Sequence, residues 1–253
     1  MFFCDTESDG FKFESSRVWI LCSLSESGEL ALSYDYKESK KFSDVLPEWT
    51  PQEAKVFKTH TEHLRYLEAD GVCFHNYFQH DKPLIRKFLK DWSPKREEDT
   101  YILSQLFNPD RGFHGLEDWG NHLGISKPEY TDWMGGLTKE MIHRCIEDVK
   151  ITQAVYLELK KERDEWDWER SISLEYAIAD IQGRQEMMGV LFDLDRATEL
   201  AEWIYSELNS IDEVLTKDIP MRVIQGDVIE APFNKSGEVS LRVKNWFSKG
   251  EIV

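Results

Sequence analysis

The chain has 253 residues, room for one large domain or a domain with a smaller companion. Its 31 Lys and Arg stand against 48 Asp and Glu, a formal charge of −17, which argues against a basic nucleic-acid clamp held by charge alone. With 41% hydrophobic residues and nine Trp it is too apolar for a disordered chain.

The N-terminus, Met-Phe-Phe-Cys-Asp-Thr-Glu, lacks the basic and apolar regions of a signal peptide, and no apolar run approaches the ~20 residues of a membrane span. Cys4, Cys22, Cys73 and Cys145 are spread without a C-x-x-C. Neither disulfides nor zinc is indicated, and a reducing cytoplasm is the expected location.

In chain order, residues 2–6 read as a strand, 18–24 as a second and 29–36 as a third, with Ser25 to Gly28 as a turn. A helix is expected over 61–69, a short buried strand over 71–74, and a helix over 81–90 with Pro83 in its first turn. A long helix runs over 138–163 with Thr138 as its N-cap. Strands followed by interleaved helices and strands give an α/β class with a mixed sheet flanked by helices. Residues 171–188 read as helix, 189–192 as an extended break, and Asp193 or Asp195 caps an amphipathic helix reaching Leu215. After Pro220 the chain reads as extended segments. The boundaries place one domain at 1–165 and a second region, helices then an extended tail, at 171–253.

Three acidic features carry chemistry. Asp5 and Glu7 stand two apart on the first strand, which puts both on one face. Asp81 opens a helix after a buried strand and the polar loop from His75, where it serves as a cap or as a site residue. Asp148 borders the apolar side of the long helix, where an unpaired acid needs a partner or a metal. Four oxygen donors without a Cys or His cluster suit Mg²⁺ or Mn²⁺, and two such ions would clamp an in-line phosphoryl displacement. His75 and His80 read as solvated loop histidines. Lys82, Arg86, Lys87, Lys90, Lys95 and Arg96 form either a DNA-facing patch or a solvated helix face.

In combination, Asp5-Thr-Glu7, Asn76 to Asp81 and His143 to Asp148 resemble the three motifs of the DEDD superfamily of 3′→5′ exonucleases. The segments Asp99 to Leu106, His114 to Gly124 and Glu147 to Thr152 look like the proofreading domain of phage-type family A DNA polymerases. Gln185 to Asp193 looks like the opening of the polymerase domain that follows. The resemblance spans roughly residues 3 to 200. It implies an RNase H-like fold, two Mg²⁺ or Mn²⁺ held by Asp5, Glu7, Asp81 and Asp148, and single-stranded DNA 3′ ends as substrate. It further implies Thr6, Asn76 and Phe78 as substrate contacts, with the Phe78 ring stacking on a base.

The sequence departs from the family twice. Where family A domains place Tyr, four residues before the last Asp, stands Arg144; His143, five before it, matches the branch whose His is the general base. The sequence also stops at residue 253, before palm, fingers and thumb, so it is a fragment or a partner of a separate polymerase chain. Residues 216–253, apolar and extended, are expected to dock that chain or to fold back on the core. An RNA 3′-end trimming exonuclease and a non-catalytic docking subunit stand as alternatives.

Overall fold

The computed structural model describes residues 1–35, 51–133 and 136–218. Most of the tail expected to be extended, from residue 219 onward, and Tyr36, the end of the expected third strand, lie outside the described residues.

Among the described residues, six strands form one mixed sheet in the order β4-β3-β2-β1-β5-β6. They are β1 (Phe2–Ser8), β2 (Val18–Ser25), β3 (Leu30–Tyr34), β4 (Lys55–Phe57), β5 (Gly71–Phe74) and β6 (Arg96–Asp99). β1 pairs antiparallel with β2 and parallel with β5, so it lies inside the sheet with both edges bonded. In that register Asp5 stands opposite Cys22 and Glu7 opposite Ile20, and a bulge follows between Glu7 and Ser8. The bulge ends regular pairing just past the two acids, a common device where a strand meets a site.

Period-two alternation sorts β1 into two faces. Phe2 and Cys4 face a core with Leu21, Val72 and Phe74, covered by helix α1 (His60–Glu68) and helix α2 (Lys82–Phe88). Thr59 caps α1, its hydroxyl accepting from the Glu62 N–H at 3.1 Å. The opposite face is covered by α3 (Thr100–Phe107), α4 (Leu116–Leu123) and α5 (Lys139–Glu165). Thr138 caps α5, accepting from the Met141 N–H at 3.1 Å, as its sequence position predicts.

Helix α5 buries Met141, Cys145, Asp148, Thr152, Val155 and Leu159, a stripe spaced four, three, four, three, four. Asp148 therefore sits within the apolar stripe and is aimed at β1.

The chain divides into two compact units at Val190 and Leu191. Helix α6 (Glu169–Met188) belongs to the first, packing Ile172 and Ala179 into it. In the second, α7 (Leu194–Asp218) begins after Asp193, whose carboxylate accepts from the Arg196 N–H at 2.9 Å. Among the described residues, no helix is long and apolar enough to cross a membrane.

Candidate metal centre

Because α5 crosses the sheet face that carries Asp5 and Glu7, three carboxylates converge. One oxygen from each of Asp5, Glu7 and Asp148 lies within 4.8 Å of the others. Asp5 Oδ2, Glu7 Oε1 and Asp148 Oδ1 are buried and accept no hydrogen bond. Buried acceptors without partners are costly, and a cation satisfies all three at once. Burial holds the Asp5 carboxyl far above the usual range, with Glu7, Asp148 and Asp81 adding repulsion. Burial likewise pushes Glu7 up to about 8, and it raises Asp148 against the pull of Lys127. An all-oxygen, anionic donor set of this kind fits a hard divalent ion such as Mg²⁺ or Mn²⁺.

Two cations flank the acids. Lys127 Nζ lies 2.9 Å from Asp148 Oδ2. Arg144 Nε lies 3.5 Å from Glu7 Oε1 and 3.8 Å from Asp148 Oδ2. The Arg144 guanidinium is fixed from outside, donating to the Pro128 carbonyl at 2.6 Å and lying 5.1 Å from the Trp133 ring centre. Lys127 gave no signal in the sequence, because it stands in a loop between helices without periodicity. Arg144 was visible only as a departure from a family pattern.

The fourth acid, Asp81, is buried but lies outside the trio. Its Oδ1 accepts from the Thr6 hydroxyl at 2.6 Å. It is close enough to add repulsion to both Asp5 and Glu7. As a helix cap it is idle, since its side chain accepts no N–H from the first turn of α2.

Several expected contacts fall elsewhere. His143 is 62% exposed, and its Nδ1 lies 3.9 Å from Glu147 on the outer side of α5. The helix is regular there, so five residues turn His143 some 140° from Asp148, and the ring does not join the acids. Phe78 is only 3% exposed and packs against Tyr176, with ring centres 4.9 Å apart, so it is a core ring and presents no free face to a base. The Thr6 hydroxyl is committed to Asp81. Asn76 takes a left-handed backbone, φ 69°, and its N–H donates to Asp99 Oδ1 at 2.9 Å. His75 is no solvated loop residue: its Nδ1 bonds Thr100 Oγ1 at 2.9 Å, and burial lowers its pKa to about 3. The expected basic patch is largely consumed internally. Lys82 is buried between Glu97 and Asp180, Arg96 pairs with Glu98, and Lys87 donates to the Phe13 and Ser15 carbonyls.

No family model and no curated protein matches this sequence. Solved structures match it by fold. An apo nuclease is similar at TM-score 0.56 and 16% identity, over 76% of this chain and 87% of that one. NrnC of Brucella melitensis with bound Mg²⁺ is similar at TM-score 0.53 and 15% identity, over 76% and 88%. The POL domain of Pol1 from M. smegmatis is similar at TM-score 0.56 and 13% identity, over 98% of this chain and 42% of that one. At these identities the likeness is one of fold. The mixed sheet with its flanking helices is an RNase H-like α/β architecture.

Proposed function

We propose that this chain is a metal-dependent 3′→5′ exonuclease of the DEDD superfamily. In this reading it removes nucleotides from DNA 3′ ends as the proofreading part of a phage-type family A polymerase. One observation carries it: Asp5, Glu7 and Asp148 meet on one sheet face, each with a buried oxygen lacking a partner. In this reading these three acids, with Asp81 as the fourth, hold two Mg²⁺ or Mn²⁺. When bound, such ions activate water and stabilise the charge that develops on the reacting phosphate. The chain's own part is to aim the carboxylates, to exclude water behind them with the β1–α5 core, and to set Lys127 and Arg144 beside the scissile group. Fixed cations at that place favour the more negative transition state. In this reading His143 is not the proton acceptor, its ring being exposed beside Glu147.

RNA as substrate is a second reading, favoured by the neighbours. NrnC of Brucella melitensis was also solved bound to pGG. Escherichia coli RNase D, described as an exoribonuclease of structured RNA processing, is similar at TM-score 0.50 and 14% identity, over 73% of this chain and 45% of that one. Association with a polymerase half is supported by the resemblance of residues 185–193 to a polymerase opening and by the span of the Pol1 likeness. The deciding experiment offers 3′-labelled DNA and RNA strands of one sequence with Mg²⁺, with chelator, and to the Asp5→Ala variant. Stepwise shortening of DNA that needs both Mg²⁺ and Asp5 supports the proofreading reading. Faster shortening of RNA transfers the activity to RNA trimming, and no shortening of either strand overturns the exonuclease assignment.

A further inference from the structure

We propose that helix α6, which follows the exonuclease fold, positions Asp81 through Gly183. The proposal rests on the exonuclease reading above and adds a positioning residue to it. Asp81 ends a π-helical turn, Tyr77–Asp81, in which the Lys82 N–H reaches back to the Tyr77 carbonyl. A π turn is one residue wider than an α turn, persists only where its surroundings hold it, and is frequent at functional sites. Left alone, the segment relaxes toward α geometry and carries Asp81 round the axis.

Three sides of the turn are held by polar groups. The buried Asp99 carboxylate accepts from the Asn76 N–H at 2.9 Å and from the Phe78 N–H at 3.2 Å. Lys12 donates to the Gln79 carbonyl and to Glu186 of α6. Thr6 holds the Asp81 carboxylate itself.

The fourth side is α6. Tyr176, Ala179, Gly183 and Glu186 share one face by their spacing, and that face lies on the turn. Contact is closest at Gly183, where an added Cβ would stand 2.4 Å from the Phe78 carbonyl oxygen and 3.5 Å from Pro83 Cγ. A glycine inside a helix weakens it, so its presence here has a packing reason. A methyl at 183 must separate helix and turn by at least 0.6 Å, from 2.4 to 3.0 Å. Phe78 precedes Asp81 by three residues in the same turn, so the displacement reaches the carboxylate.

The test is Gly183→Ala, read first by Mn²⁺ titration without nucleic acid and then by single-strand cleavage across Mg²⁺ concentration. The expected result is at least tenfold weaker Mn²⁺ binding, a kcat lower by about 10–100-fold, and a nearly unchanged KM for the strand. Ile172→Val, buried on α6 away from the turn, controls for plain destabilisation: it should lower the melting midpoint and leave the metal profile alone. Should Gly183→Ala fail to fold, Glu186→Gln removes the charge from the Lys12 link to α6 without a clash and carries the same titration, with a smaller shift expected. Parent-like metal binding and kcat in a folded Gly183→Ala, or in Glu186→Gln if it stands in, overturn the positioning role. A parent that binds no divalent ion overturns the metal-centre reading and this proposal with it, so the two failures are told apart.

Discussion

Arg144 Nε faces Glu7 Oε1 at 3.5 Å, and neither atom has a hydrogen-bond partner. The pair sits one helical turn from Asp148, on the side of α5 that meets the sheet. Arg144 thus stands with the acids, while its neighbour His143 points to solvent. Arg144→Ala should slow cleavage on the order of 10²-fold, as losing a fixed donor at a reacting centre does. His143→Ala should change it by less than about threefold, as for an exposed residue outside the site. Single-turnover rates at saturating Mg²⁺ measure both, and the opposite ranking would return the proton-acceptor role to His143.

Asp5→Ala and Asp148→Ala should each abolish cleavage and leave the fold intact. In metal-free protein Asp5→Ala should cost little stability, because burial already keeps that carboxyl protonated and its Oδ2 has no partner, whereas Asp148→Ala should lower the melting midpoint, because it leaves Lys127 without its carboxylate. Circular dichroism melts in chelator, beside cleavage assays, check this. A variant that cuts at the parent rate sinks the metal assignment.

The acids also set a pH dependence. Glu7 keeps its proton to about 8 in the folded, metal-free protein, against an ordinary value of 4.5. Between those values the folded state binds more protons than the unfolded one, so this contribution to stability falls as pH rises. Relative to Glu7→Gln, which mimics the protonated acid and does not titrate, the parent measured in chelator should lose stability steadily from pH 5 to pH 8. Binding of Mg²⁺ in the same window should release protons, since metal and proton compete for one carboxylate. Calorimetry in buffers of differing ionisation enthalpy reads that release directly.

A second group titrates with the opposite sign. His60 Nε2 donates to the Val18 carbonyl at 2.8 Å, which leaves its Nδ1 to accept from Ser33 Oγ, also at 2.8 Å. His63 Nδ1 must then donate to Ser33 at 3.1 Å, and its Nε2 accepts from Ser23 at 2.7 Å. Both rings are neutral, and burial lowers His63 to about 3. Here the unfolded chain binds the extra proton, so stability is lost as pH falls from 6.5 toward 3. Relative to His63→Gln, the parent should lose about 1.4 kcal/mol for each pH unit across that window. Denaturant melts at pH 7, 5.5 and 4.5 measure the difference, and a flat one would show that the chain of bonds tolerates a charge.

Much of the frame was legible because it is periodic. The strands over 2–6, 18–24 and 71–74 match β1, β2 and β5, and the helix expected over 138–163 matches α5. The elements missed, β4, β6, α3 and α4, are none of them longer than eight residues. β4 has three residues, and β6 reads Arg-Glu-Glu-Asp, which no hydrophobic pattern reveals. Asp5 and Glu7 share a face by strand period alone, and Asp148 was detectable as an acid beside apolar neighbours. Loop placement was not legible: Lys127 reaches Asp148 through tertiary packing with no local signature. Phe78 was expected to stack on a base because the resemblance implies it, whereas α6 covers the ring from a hundred residues away.

The four cysteines lie in the three apolar clusters around β1, and none is exposed. Cys4 is on β1 itself, Cys22 stands opposite Asp5, and Cys145 Sγ lies 3.6 Å from the Asp5 carbonyl. Burial also raises the thiols of Cys4, Cys73 and Cys145, so their reactive thiolate form is suppressed. A thiol reagent therefore has nothing to attack until the sheet parts. Its rate of uptake counts openings of β1 and of the neighbours packed on it, β2, β5 and α5, which makes the native cysteines a built-in clock for the integrity of the centre.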